Sequence, residues 1–169
     1  IANDPHVAGG SHLPDVNMAT PVFIGKHLLG FVCNTAHHAD IGGMAPGSMA
    51  GAMTEIYQEG VRIPLIRLFK AGQLQEDLLE LLLLSVRIPA ERRGDYLAQV
   101  AAARLGVRRM AEIAATYSVR VLEMAFDEII QRTGARIHDA LKLIPDGNYQ
   151  FEDVMDDDGV AAKHTAEVQ

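Results

Sequence analysis

Residues 18–36 read MATPVFIGKHLLGFVCNTA, two β-rich runs parted by Gly25 and Lys26, and they constrain the fold more than any other stretch. β-branched and aromatic residues favour pleated backbone, and two residues led by glycine form the shortest link between antiparallel strands. A hairpin is therefore expected from about Val16 to Ala36, and it delivers whatever flanks it to one strand end. On one side lies GGSHLPD, residues 9–15, too rich in Gly and Pro for a regular helix or central strand. On the other lies AHHADIGG, residues 36–43. Both flanks carry histidine and aspartate, in loops at the edge of a rigid element where chemistry commonly sits.

Downstream the text changes period. Residues 41–53, IGGMAPGSMAGAM, are a small-residue loop, readable as a close approach to a ligand, a lid or a flexible connector. QEDLLELLLLSV, residues 75–86, reads as a short helix buried on most sides, in this chain or against another. Pro89 suits a first helical turn and opens a helix to about Tyr117. Ser118 then offers an N-cap for a third helix, on which Leu122, Ala125, Phe126, Ile129, Ile130, Ile137 and Leu141 recur at helical spacing, predicting one buried stripe. Pro145-Asp146-Gly147 should end it, and NYQFEDVM, residues 148–155, reads as a strand. The expected class is α+β: an N-terminal hairpin region with site loops, three helices, and a C-terminal strand. The 169 residues fit a single partial domain, divided into 1–60, 70–145 and 146–169.

Composition narrows the partners. A formal net charge of −7 argues against nucleic acid or an anionic membrane as the main partner. Arg104, Arg108 and Arg109 cluster, but on a helix such a trio reads as a solvated face. The lone Cys33 excludes an internal disulfide and fits a reducing, cytoplasmic setting; as a nucleophile beside His37 it is the weaker reading against a packing role. The run Leu78–Val86 is too short to span a bilayer, no signal peptide is visible, and Ile1 in place of Met points to a processed or truncated chain.

Two histidines and a carboxylate are a donor set for Zn²⁺, Mn²⁺ or Fe²⁺. His12 and Asp15 lie close enough for one loop to turn both to a common point, and His37 or His38 could add a ligand from the hairpin end. Strand alternation sends His37 to one face and His38 with Asp40 to the other, so only one of the adjacent pair should ligate. The other becomes an orienting or acid/base candidate. The plainer readings stand beside these: a polar surface histidine, and an Asp15 that only stabilises its turn. Glu55 and Glu59 read as helix-surface carboxylates rather than site groups, Asp156–Asp158 as an acidic turn, and His27, His138 and His164 as surface or packing residues.

Five stretches taken in order, NDPHVAGGSHLPDVNMATPVF, GFVCNTAHHADIGGMAPGSM, TEIYQEGVRIP, ERRGDYLAQVAAARLGVRR and IPDGNYQFEDVMDDDG, resemble the hydantoinase B/oxoprolinase family, which also includes the α subunit of acetone carboxylase. The resemblance runs from about Asn3 to Gly159. It implies a metal-dependent subunit working with a hydantoinase A-type partner that uses ATP to phosphorylate a carbonyl or amide oxygen. The B-type subunit then completes ring opening of a hydantoin or 5-oxoproline, or a ketone carboxylation. It implies His12, Asp15 and His37 as ligands of a divalent ion, Zn or Mn foremost, with a further acidic ligand from a segment before Ile1. His38 and Asp40 would orient the ligands or shuttle a proton. The family usually has Thr and Tyr where this chain has Ser11 and His6, and its members are longer on both sides. The contrasting expectation is a non-catalytic helical module that docks a partner through Leu78–Val86.

Overall fold

A computed structural model describes residues 1–7, 10–155 and 164–168. The chain divides into two compact units, Ile1–Glu123 and Met124–Gln169. Asp156–Asp158 lie outside the described residues, as does the side chain of His164.

The hairpin forms as expected. β1 (Asp15–Ile24) and β2 (His27–His37) pair antiparallel from Asp15↔His37 to Ile24↔His27, with a bulge between Val22 and Phe23. Gly25 supplies the turn's left-handed backbone, φ +63°. Alternation then sorts the faces: Val16, Met18 and Val22 are buried, while Asp15, Asn17 and Ala19 point outward beside His37, Thr35 and Cys33.

α1 (Ile56–Glu59) is a single turn beyond the three expected helices; the Gln58 Oε1 accepts the Thr54 and Glu55 N–H groups, so this segment begins a helix rather than furnishing site carboxylates. A two-residue hairpin, β3 (Phe69–Lys70) with β4 (Gln73–Leu74), was not legible in the sequence. α2 (Glu76–Leu84) buries Leu79, Leu82 and Leu83 but leaves Leu81 and Leu84 exposed, so within this chain it is covered on one side and not on most.

α3 (Pro89–Tyr117) packs across both strands of the hairpin on the inner face. It comes so close that a Cβ on Gly106 would stand 2.7 Å from Val32 Cγ1. Between hairpin, α2 and α3 lies the core of Leu13, Val16, Met18, Ile41, Leu79, Leu83, Tyr96 and Val100. Ser118 closes α3 by donating its N–H to the Ala114 carbonyl and caps α4 (Val119–Leu141) by accepting the Val121 N–H at 3.4 Å.

α4 corrects one expectation. Leu122 is buried, but Phe126, Ile129, Ile130, Ile137 and Leu141 are exposed. Spacing gathered them on one face; among the described residues nothing covers it. The C-terminal strand is β5 (Phe151–Met155), paired antiparallel with β6 (His164–Val168). Among the described residues no helix is long and apolar enough to cross a membrane.

Candidate metal centre

Asp15 and His37 are the terminal pair of the hairpin ladder. Both point outward by alternation, and the loop before β1 folds back to bring His12 beside them. Each Asp15 oxygen then meets one imidazole: Oδ2 lies 2.9 Å from His12 Nε2 and Oδ1 3.0 Å from His37 Nδ1. The two rings stand 5.0 Å apart, and one donor atom from each of the three residues lies within 4.8 Å of the others. The Ser11 hydroxyl donates to Asp15 Oδ2 at 3.3 Å.

Partial burial works to raise the Asp15 pKa, but the His37 hydrogen bond, the His12 charge and Ser11 outweigh it and hold the carboxyl below its ordinary value. An ionised carboxylate between two imidazoles is the donor chemistry a divalent cation takes, with the cation replacing the protons that now bridge them. Three protein donors leave positions open for water or substrate.

His38 and Asp40 lie elsewhere. His37 is half exposed while His38 is 1% exposed, the opposite facing that alternation predicts. The His38 ring packs against Tyr96, centroids 4.6 Å apart, whose hydroxyl pKa is pushed up to about 12 by burial. Its Nε2 meets Gln99 Oε1 at 3.0 Å. The Gln99 amide nitrogen donates to the Val16 carbonyl at 2.9 Å and to Asn34 Oδ1 at 3.0 Å. Gln99 Oε1 is therefore an acceptor, so His38 carries its hydrogen on Nε2. His38 Nδ1 is buried and has no hydrogen-bond partner among the described residues. The backbone of His38 touches the centre more directly: its N–H donates to the Pro14 carbonyl at 2.8 Å, tying the second loop to the first between His12 and Asp15.

Asp40 is buried in a clamp. Its Oδ1 accepts the Gly42 and Arg87 N–H groups and its Oδ2 the Gly47 N–H and the Arg87 guanidinium at 2.9 Å. Burial opposes ionisation, but Arg87 and these N–H groups hold the carboxyl below the usual range. The loop that follows is braced rather than loose: Ser48 accepts the Ile41 N–H and donates to the Gly42 carbonyl, and Gly43 lies so near α1 that a Cβ would collide with the Gln58 carbonyl.

Sequence reasoning missed Asn3, Gln99 and Arg87. Asn3, fully buried, donates to the Leu13 and Val61 carbonyls and accepts the Ile63 N–H, which fixes the back of the His12 loop. Its partners lie up to 60 residues away, and no local pattern marks them. Two lesser readings hold: His27 is an exposed residue that pairs with Glu123 at 2.8 Å, and the arginine trio is a solvated face, Arg104 over the Phe69 ring and Arg108 and Arg109 with Glu112.

The family model for hydantoinase B/oxoprolinase matches residues 1–169. The chain belongs to the hydantoinase B/oxoprolinase family. It is 36% identical over 155 residues to the putative B-type subunit of a D-/L-hydantoinase from a Pseudomonas species, covering 91% of this chain and 26% of that protein. Against the beta subunit of the Pseudomonas jessenii caprolactamase it is 34% identical over 157 residues, 93% of this chain and 27% of the relative. A 5-oxoprolinase of Dictyostelium discoideum is 34% identical over 141 residues, 83% and 11% respectively. The chain thus spans about a quarter or less of the length of these relatives.

Proposed function

We propose that this chain is the metal-holding part of a subunit that opens a small cyclic amide within an ATP-dependent, two-component complex. The observation that carries the reading is the convergence of His12, Asp15 and His37 from two loops on one hairpin end, in a family whose members include a hydantoinase subunit, a caprolactamase subunit and a 5-oxoprolinase. Those names favour ring opening over ketone carboxylation on the same scaffold. The subunit designations of two of them support a partner; a hydantoinase A-type component would consume the ATP.

Zn²⁺ or Mn²⁺, held by the His12 and His37 nitrogens and an Asp15 oxygen, would supply Lewis-acid polarisation and a lowered pKa for water. The chain's own residues do the rest. Asp15 offsets cationic charge and Ser11 steadies it. His38 and Asp40 act by position: the His38 N–H holds Pro14, and Asp40 pins the loop that leaves the site. In the net hydrolysis the ring C–N bond breaks, a water oxygen bonds to the carbonyl carbon, and the ring nitrogen takes a proton.

Metal content of the purified full chain tests this. One divalent ion per chain is expected, lost in His37→Ala and in the double substitution His12→Ala with Asp15→Ala. His38→Ala keeps the backbone N–H on Pro14 but removes the ring packed on Tyr96 and bonded to Gln99, so it should keep the ion yet slow ring opening in the complex reconstituted with its partner. An ion retained without His37 but lost without His38 reverses the assignment.

A further inference from the structure

A groove runs between α3 and the small β3–β4 hairpin, within the unit Ile1–Glu123. The hairpin turns tightly, with Ala71 and Gly72 both at positive φ, +49° and +81°, and sets Phe69 opposite Leu74. Leu97, Ala101, Arg104, Leu105 and Arg108 form the other wall, spaced as one face of α3. The space between is about 600 Å³, the size of a small-molecule site. Leu97 and Leu105 are 42% and 45% exposed, so an apolar floor stands open beside two cations. No carboxylate lines the groove, in a chain whose formal net charge is −7. Among the described residues Arg104 is held by a ring rather than by an acid: its guanidinium lies over Phe69, 4.8 Å from the centroid. Stacking of that kind leaves the in-plane N–H donors for another partner. Glu112 is bonded to Arg109 at 2.7 Å and stands 3.9 Å from Arg108, beyond hydrogen-bond reach.

We propose that this groove binds a small organic carboxylate with an apolar body, the anionic end held by Arg104 and Arg108 and the hydrocarbon laid on Leu97, Ala101 and Leu105. The two arginines stand at i and i+4, neighbours on the helix surface, so both reach one carboxylate with charge-assisted hydrogen bonds. Charge and shape select together. An uncharged molecule of the same outline forfeits both guanidinium groups, and an inorganic anion forfeits the apolar floor. His12, Asp15 and His37 line no part of the groove, so this site stands or falls independently of the metal centre.

Calorimetric titration of the full chain with octanoate and with 1-octanol, one hydrocarbon chain with and without an anionic end, tests the assignment. Octanoate should bind at a single site and octanol about tenfold more weakly or less, the scale of a charge-assisted hydrogen bond. Arg104→Gln should weaken octanoate to the level of octanol, and Arg104→Lys, which keeps the charge, should recover part of the loss. In Ala101→Trp the indole fills the groove, and neither ligand should bind. Ala101 and Arg104 are both exposed, so these variants should keep the parent's unfolding midpoint, and a loss of binding then belongs to the groove. Absence of octanoate binding, equal binding of octanol, or binding undiminished in Arg104→Gln or in Ala101→Trp would each overturn the proposal.

Discussion

Three side chains converge at one end of the hairpin, and a fourth, Gln99, ties down one of the loops beside them. It joins His38, Asn34 and the Val16 carbonyl from the opposite face of the sheet. Gln99→Leu strands those polar groups in the interior, and urea unfolding should show a loss of about 2 kcal/mol. If the network also positions His37, ion affinity of the folded protein falls with it; an unchanged affinity would confine Gln99 to stability alone. The contrast with the ligands shows what the sequence carries. His12 and Asp15 were legible from residue type and spacing, with His37 or His38 as the third candidate; the family resemblance singled out His37, and the structure brings that one beside them. Gln99 was not: it lies 61 residues from His38 within an alanine-rich helix, and only the packing of α3 on the hairpin brings them together.

At the level of elements, alternation and a Gly-led turn made the hairpin readable, with its two faces. Helical spacing told less. It identified a stripe on α4 and an apolar run in α2, but periodicity names a face without saying what covers it, and both proved more exposed than expected. The loop after Asp40 was open to three readings because its glycines permit any of them; the clamp from Arg87 settles it as a braced turn. That clamp has a pH signature. Asp40 is held below its ordinary pKa of 3.8, so as pH falls the unfolded chain takes the proton first. Its contribution is full above that value and is lost as pH drops through the folded pKa. Asp40→Asn should therefore lower stability at neutral pH and flatten the acid limb of the unfolding-midpoint profile. A parallel limb with the same slope would show that Asp40 carries none of it.

Across the whole molecule, the inner face of the hairpin is occupied by α3 and the core, and its outer face runs from the ligand set down to an apolar cavity. The division packs the hairpin from behind and leaves the His12, Asp15 and His37 cluster on the open face. It also means that the account stands on a single spatial claim, that one cation sits between the two loops. Anomalous difference maps from crystals of the full chain grown with Zn²⁺ test that claim most directly. The account predicts one strong peak about 2.0–2.2 Å from His12 Nε2, His37 Nδ1 and an Asp15 oxygen. Zinc bound elsewhere, with Asp15 still hydrogen-bonded to both imidazoles, would contradict it.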